Sequence, residues 1–263
     1  MHNMSIYQHF RSDEAPLITE LSDLISQAEF EYRPILTHFL NPRERAIIAS
    51  LLGQKKQVKF CANGLFQQAE RRRGLFYPEY FNPKQEDFQL ALMEIKYPVK
   101  FAQLEHRQIL GTLLGSGLKR SAIGDILTDG IHWQVIIEKP MVEFLKQEIE
   151  RIGKIKVQLE EISFSQLLQS KIEWEKASFS VSSLRIDNLV ASVCHFSRAR
   201  CKQLLAAKKV HLNWMLIEQP DFDLKLQDVI SVRGFGRFQL ASLGQLSKKG
   251  HLRVEVLILK NNT

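Results

Sequence analysis

The chain has 263 residues, of which 44% are apolar, and a formal net charge of +7. This length and apolar content allow one large hydrophobic core or several small ones. We find no apolar run near the roughly 18 residues of a membrane-spanning helix, no signal-peptide pattern at the amino terminus, and no CxxC pair among Cys61, Cys194 and Cys201. These features exclude a membrane-spanning or disulfide-stapled protein and predict a cytoplasmic protein with its cysteines packed in cores.

The first 56 residues predict a helical segment. Apolar residues recur at helical spacing through "ITELSDLISQAEFEYRPILTHFLNPRERAIIASLLG". Pro34 and Pro42 break this pattern, and Gly53 ends it. We therefore expect a small helical cap over residues 1–56.

Residues 57–165 predict an α+β domain. The stretches "VKFCA", "FQLALMEIKYP", "WQVIIEK" and "IKVQLEEI" are typical of strands, whereas "EHRQILGTLLGSG" and "PMVEFLKQEIERIG" are typical of helices. The segment from Phe88 to Tyr97 is apolar on both faces, which predicts a central strand, and the alternation at Ile155, Val157 and Leu159 predicts an edge strand.

Two basic stretches of this domain are candidate contacts. Arginines 71–73 in "ERRRGLF", interpreted as helical, would point in different directions, so a solvated face is favoured over a ribosomal contact. In "LGSGLKRSAIGDIL", Gly115 and Gly117 predict the end of a helix, with Lys119 and Arg120 exposed beside it. The two cations are a possible second RNA contact, or they complement the negative end of the helix. The stretch lacks the Gly-Lys-Ser/Thr of a phosphate loop and follows a helix, so we expect no nucleotide cofactor.

The charge of the chain is concentrated in its last third. From Ser178 to Thr263 there are 13 Lys and Arg against 6 Asp and Glu, whereas the first 177 residues carry 23 of each. Seven serines between Ser163 and Ser183 predict a flexible boundary near residues 178–183, with a linker at 166–180 before a basic domain at residues 181–263. A charge excess confined to one domain favours a polyanionic partner, and nucleic acid is the most common one. A solvated basic surface is the alternative.

Two predicted helices open this basic domain. The first, "SSLRIDNLVASVCHF", has Ser183 as a candidate cap, and the second, "SRARCKQLLAAKKV", begins at Ser197. Arg198 and Lys202 are like charges at i and i+4, and cations in the first turn oppose the helix dipole. Since local stability does not explain this arrangement, we expect an external phosphate at the amino terminus of the helix. Alternatively, the long basic side chains cover apolar surface.

Short strands follow, with a turn near Asn213 and Trp214 and a closing "VRGFGRFQL" at residues 232–240. This last stretch begins like the signature of an RNA-recognition motif (RRM), but Arg237 stands where that signature needs a stacking aromatic residue. We therefore reject that interpretation. The glycines at 234 and 236 allow close approach to a partner, and Arg233 and Arg237 can pair with phosphates. A glycine bulge at a bend is compatible with this role.

These features resemble the S4 RNA-binding domain: two small helices with a basic second one, "VHLN", a proline before "LQDVISV", and "RGFGR". Asn213 and Trp214 depart from the Asn-Gly usual at the S4 turn. Over nearly the whole chain, the order of elements resembles the YlmH-type proteins of Gram-positive bacteria, most specifically at "LGSGLKRSAIGDIL" and "SVRGFGRF". The resemblance implies an RRM-like middle domain, association with the large ribosomal subunit and with tRNA, rescue or quality control of stalled translation, and genes near cell-division genes.

The sequence therefore predicts a non-enzymatic RNA-binding protein, an α+β chain with a helical cap, an RRM-like α/β sandwich and a carboxy-terminal S4 domain. Its expected partners are structured rRNA and tRNA and the large ribosomal subunit, with no membrane, cofactor or metal, and the protein is expected to be a monomer. An RNA-modifying enzyme is the alternative, yet Asp187 lacks the following Thr/Ser-Gly of pseudouridine synthases and is expected to pair with an arginine, and no methyltransferase glycine loop is found. A cell-division accessory protein is a further alternative. The predicted RNA contacts are Arg185, Ser197, Arg198, Lys202, Lys208, Lys209, Asn213, Arg233, Gly234 and Arg237, with Lys119 and Arg120 as the second contact.

Overall fold

The structure is a computed structural model that describes residues 14–53, 57–169, 174–246 and 251–260. The chain divides into two compact units between residues 170 and 171. The two units are described separately below. No helix among the described residues is long and apolar enough to cross a membrane.

The first unit begins with two helices packed on a small antiparallel sheet. Its elements are α1 (Ala15–Glu31), β1 (Ile35–Leu40), α2 (Pro42–Leu52), β2 (Val58–Asn63) and β3 (Arg72–Pro78), with the strand order β1-β3-β2. The side chain of Asn41 accepts a hydrogen bond from the N–H of Glu44, and Glu44 caps Asn41 in return, so α2 starts at Pro42. Buried side chains of both helices, such as Ile18, Ile25 and Ile47, pack on one face of this sheet.

The prediction of a purely helical cap is wrong for residues 35–40, which form β1. These residues pair with β3 and bury apolar side chains on both faces of the strand, and this pairing with a distant segment outweighs the helical spacing. The predicted boundary between residues 56 and 57 therefore lies inside one sheet, because β1 precedes it and β2 and β3 follow it.

A second, four-stranded sheet completes the first unit. Its elements are β4 (Leu90–Lys96), α3 (His106–Gly115), β5 (Ile123–Thr128), β6 (Trp133–Glu138), α4 (Val142–Glu148), the short hairpin of β7 (Arg151–Ile152) and β8 (Ile155–Lys156), and β9 (Gln158–Ile162). The antiparallel order is β5-β6-β4-β9. β4 is therefore central and β9 lies at an edge, which confirms the central strand predicted near residues 88–97. The predicted end of α3 at Gly115 is also confirmed, and Gly117 follows with a φ of +97°.

Both faces of the four-stranded sheet are covered. Ala91, Met93 and Ile95 of β4 lie in a core with α3 and α4. Leu90 and Leu92 lie in a second core with residues of the N-terminal sheet, including Phe39 and Leu75. At Gly124 a Cβ atom would lie 2.7 Å from the Phe39 ring, so glycine is what lets β1 approach β5. The unit is thus layered as helices, sheet, sheet and helices.

The second unit contains two helices on a six-stranded antiparallel sheet. Its elements are β10 (Glu175–Val181), α5 (Ile186–Cys194), α6 (Arg198–Ala206), β11 (Val210–Leu212), β12 (Met215–Leu216), β13 (Val229–Val232), β14 (Gly236–Leu246) and β15 (Leu252–Lys260), and the strand order is β10-β15-β14-β13-β11-β12. The linker predicted at 166–180 overlaps this sheet, since residues 175–180 belong to β10 and pair with β15. Its residues 170–173 lie outside the described residues.

One hydrophobic core holds the second unit together. It joins buried residues of both helices, such as Leu189 and Leu205, to alternate strand residues, such as Ile230, Phe238 and Val256. Cys194 and Cys201 are buried in this core, and burial raises the pKa of the Cys194 thiol to about 12. Their predicted role in packing is confirmed.

Candidate nucleic-acid interface

Backbone carbonyls of a distant loop accept hydrogen bonds from the first N–H groups of α5. The backbone N–H of Ile186 donates to the carbonyl of Phe222, and that of Asp187 donates to Pro220. Arg185 precedes the helix, so the expected cap at Ser183 is wrong: the loop at residues 220–222 supplies the acceptors that a cap would supply.

Arg185 is matched by an internal carboxylate. Its Nε and Nη2 atoms donate to the two carboxylate oxygens of Asp187 at 3.1 and 3.0 Å. The Asp187 side chain is 5% exposed, so the ion pair keeps a buried carboxylate compensated. The predicted pairing of Asp187 with an arginine is confirmed. Arg185 was also predicted to contact RNA, and the contact that the structure shows for its guanidinium is the ion pair with Asp187.

The helix α6 starts as predicted at Ser197, whose hydroxyl accepts a hydrogen bond from the N–H of Arg200 at 3.2 Å. Ser197 is therefore engaged in capping. Arg198 donates from Nη2 to Ser182 Oγ and to Asn188 Oδ1, both at 3.0 Å. These acceptors are neutral, so they fix the position of the guanidinium without cancelling its charge. Lys202 follows one turn later and is exposed.

A second group of cations lies where β11 and β13 meet. Val210 pairs with Val232, and the N–H of Arg233 donates to the carbonyl of Lys209 at 3.0 Å. Lys209 and Arg233 are therefore neighbours across two strands, and both are exposed. Lys208 precedes them, with Nζ 3.8 Å from the carboxylate of Glu218 in a contact between two exposed side chains.

The loop that joins β13 to β14 consists of residues 233–235. Gly234 has a φ of +87° with open space around the position of a Cβ atom, and the N–H of Phe235 donates to Val232. The hairpin agrees with the predicted glycine bend and leaves the Gly234 backbone accessible. Arg237 follows on β14, and its guanidinium lies 5.9 Å from the centroid of the Trp214 ring.

The turn between β11 and β12 is a tight two-residue hairpin. Leu212 pairs with Met215, and Asn213 and Trp214 have φ values of +48° and +64°. The Asn213 side chain donates to Asp228 and accepts from the N–H of Val229, each at 2.8 Å. Asn213 was predicted to contact RNA, but its amide is engaged inside the protein.

The two residues of the possible second RNA contact, Lys119 and Arg120, have different environments. Arg120 donates from Nη1 to the carbonyls of Ile123 and Gly124, at 2.6 and 3.3 Å, so it is held against its own chain, while Lys119 is exposed. The arginines of "ERRRGLF" are not on a helix. Arg72 and Arg73 begin β3, and Arg71 donates to the carbonyls of Ile123 and Phe39.

The predicted cations thus fall into two classes. Arg185 and Arg120 are tied to acceptors of the protein, and Lys208 lies near Glu218. In the described part of the second unit, four others are exposed and have no carboxylate within 4.0 Å: Arg198, Lys202, Lys209 and Arg233. Trp214 lies outside the predicted set of RNA contacts. The sequence marked it as a departure from the usual S4 turn that exposes an aromatic ring able to stack or to pack.

Comparisons with known proteins extend over both units. Residues 14–81 match the family model "YlmH, N-terminal", and residues 83–166 match "Putative RNA-binding domain in YlmH". The chain is similar to the ribosome-associated protein quality control protein P2 of Bacillus subtilis (strain 168), with 36% identity over 249 residues that cover 95% of this chain and 96% of that protein. It is also similar to the solved structure of the cell division protein ylmH from Streptococcus pneumoniae, with 34% identity and a TM-score of 0.54, over 62% of this chain and 99% of the other.

Proposed function

Since the chain belongs to the YlmH family, we propose that it is a non-enzymatic, ribosome-associated RNA-binding protein of the cytoplasm. Its C-terminal unit acts as an S4 domain that binds structured rRNA or tRNA. The site of action is the large ribosomal subunit, in the rescue or quality control of stalled translation. The name of the Bacillus subtilis relative supports this setting.

The arrangement of the second unit supports the S4 assignment. Two short helices, the second of them basic, pack on a sheet that contains the β11–β12 hairpin and the 233–235 loop. This is the order of elements on which the resemblance to S4 domains was based.

The order of elements from β4 to β9 supports an RRM-like middle domain. Omitting the β7–β8 hairpin, the chain runs β-α-β-β-α-β, and the sheet places its first and third strands in the centre. RRM domains bind single strands by stacking bases on an open sheet face. Here that face packs against Phe39 and Leu75, so any RNA contact of this domain uses its loops or helices instead.

The observation that carries the proposal is the set of exposed cations without carboxylate partners on the C-terminal unit. Like charges at Arg198 and Lys202 repel each other on one face of α6, and Lys209 and Arg233 do so across two strands. Phosphates relieve this repulsion, and the exposed backbone of the 233–235 loop allows RNA to approach closely.

The test is the salt dependence of RNA binding. The variant Lys202→Ala/Lys209→Ala/Arg233→Ala removes three exposed charges. The logarithm of the association constant for structured RNA is then expected to fall less steeply with salt, by about 0.7 to 0.9 for each phosphate that the variant no longer neutralises. Titrations with tRNA and with isolated large subunits at several salt concentrations measure this slope.

A matched control removes three positive charges from other positions of the same unit. Lys176→Ala/Lys225→Ala/Arg253→Ala deletes three exposed cations, one of them paired with Glu255. The control is expected to keep nearly the full slope. If the wild type and the first variant show the same salt dependence of RNA binding, the proposed surface is refuted. If both variants lose the same amount of salt dependence, RNA binding depends on the net charge of the unit and not on this surface.

The name of the Streptococcus pneumoniae relative favours a second candidate, an accessory role in cell division. Cell length in a strain carrying the first triple variant separates the two functions. If deletion of the gene disturbs division and the triple variant does not, a division role independent of RNA binding is supported.

A further inference from the structure

The β11–β12 hairpin contains an unexpected residue for its geometry. Its two turn residues both have positive φ, +48° at Asn213 and +64° at Trp214, as in a type I′ turn. Asparagine is favoured at the first of these positions and glycine at the second. A bulky side chain in the left-handed region is strained, because its Cβ crowds the backbone. Trp214 therefore occupies the position where glycine would be more stable.

The turn does not depend on Trp214 for its shape. Asn213 fixes it through three hydrogen bonds to the strand-end residues Asp228 and Val229, each at 2.8 Å. Because these contacts determine the backbone, the hairpin holds the strained residue in place. The backbone of the turn is therefore fixed by contacts of Asn213.

Packing of the core does not explain the indole either. The core face of this sheet consists of every second residue of its strands, among them Val210, Leu212 and Ile230. Trp214 is not part of that core in the described unit. Its ring lies near Arg237, which pairs with Ser231 across β13 and therefore belongs to the opposite, partly exposed face.

We infer that Trp214 and Arg237 form a platform for one unpaired nucleobase of the RNA ligand. The indole stacks on the base, and the guanidinium beside it pairs with an adjacent phosphate. Aromatic stacking requires a base that is out of a helix, since paired bases are already stacked on their neighbours. The platform thus makes the C-terminal unit prefer RNA with a loop or bulge over a continuous duplex. This inference rests on the proposed RNA-binding function.

The decisive variant is Trp214→Gly, which removes the ring and restores the residue that the turn prefers. The probes are a stem–loop RNA and a blunt RNA duplex with the same number of phosphates. Affinity for the stem–loop is expected to fall by roughly 5- to 150-fold, the range expected for removal of one base stack, while affinity for the duplex stays within about twofold. The slope of affinity against salt is expected to stay unchanged because every phosphate-binding cation remains. The melting temperature is expected to be unchanged or higher.

Two further variants keep the test decisive if glycine disturbs folding. Trp214→Phe retains an aromatic face and is expected to retain most of the affinity for the stem–loop, whereas Trp214→Leu keeps apolar bulk without a stacking face and is expected to lose it. Equal affinity of the Phe and Leu variants for the stem–loop would overturn the platform, as would an equal fall in affinity for both RNAs.

The two proposals fail in different ways. If the Lys202/Lys209/Arg233 variant flattens the salt slope and Trp214→Gly binds the stem–loop like the wild type, only the platform is refuted. If the wild-type protein shows no salt-dependent binding to either RNA, the proposed function itself fails.

Discussion

Replacing Arg73 by methionine tests whether a buried guanidinium holds the first unit together. Arg73 is 7% exposed and lies on β3. Its Nε donates to the carbonyl of Thr37 at 2.9 Å, and its Nη1 donates to those of Phe88 and Gln89 at 3.1 Å. Nε also lies 3.7 Å from the buried carboxylate of Glu138. The guanidinium thus connects β1, the segment before β4, and β6.

The destabilisation expected for Arg73→Met comes from the buried carboxylate and carbonyl groups that lose their contact with the guanidinium. Removing one member of a buried ion pair costs about 3–5 kcal/mol when the remaining charge has no other partner, but Glu138 keeps a contact with His38 Nδ1 at 2.7 Å. The three buried carbonyls that lose their donor cost about 1–3 kcal/mol each and supply most of the effect. These costs overlap because the cavity relaxes. We therefore expect Arg73→Met to lower the free energy of unfolding of the first unit by about 3–5 kcal/mol, or two to four decades in the unfolding constant. Arg73→Lys is expected to be intermediate, because an ammonium cannot reproduce the planar array of donors.

Hydrogen exchange measured by mass spectrometry resolves the effect within the chain. Amides of β1, β3 and β4 are expected to lose protection, while those of β13 and β14 in the second unit provide an internal reference. Lys59→Ala is the control, because Lys59 forms an exposed ion pair with Glu79 worth about 0–1 kcal/mol. A change of less than about 1 kcal/mol for Arg73→Met would refute the argument that this arginine organises the interior.

Two further predictions concern charged groups in the two units. The pKa of Asp129 is lowered from 3.8 to about 2, first by the hydrogen bond from the His132 side chain and then by backbone N–H donors. Between these two pKa values the unfolded chain binds more protons than the folded one. The contribution of Asp129 to the free energy of unfolding is therefore full above pH 3.8 and is lost as the pH falls through about 2. In Asp129→Asn the free energy of unfolding of the first unit is expected to depend less steeply on pH in this range. Arg185→Ala leaves the buried carboxylate of Asp187 without its cation and is expected to lower the melting temperature of the second unit, an effect that solvent reduces because Arg185 is 41% exposed. The salt slope of RNA binding is expected to stay unchanged, and a flatter slope without loss of stability would contradict the structural role of Arg185.

Features set by neighbouring residues were predictable from the sequence. The cap at Ser197, the end of α3 at Gly115 and the central position of β4 all follow from patterns within about ten residues. The mixed α+β class followed in the same way. The cap expected at Ser183 was wrong because carbonyls from residues 220–222, about 35 positions away, satisfy the start of α5.

Residues 35–40 and 71–73 show why the rest could not be predicted. The first stretch has helical spacing, yet pairing with β3 makes it a strand between two cores. The arginine run suggested a solvated surface, but backbone carbonyls of distant segments bind the guanidinium groups of Arg71 and Arg73. A sequence pattern cannot show which carbonyls will be left without donors, because strand pairing across the fold determines that.

The sequence by itself determined that the cations gather in the last third of the chain and that two of them repel each other on α6, because charge and helical spacing are local properties. Only the tertiary structure decided which cations remain available to a partner. It pairs Arg185 with a buried carboxylate and Arg120 with carbonyls, whereas Lys202 keeps no carboxylate within 4.0 Å in the described chain. It also places Trp214 beside Arg237, residues 23 positions apart in the sequence that strand pairing brings together. The physical reason is that the availability of a charge depends on the burial and orientation that folding gives to its neighbours, even where these neighbours lie only two to four residues away, as they do for Arg185 and Arg120.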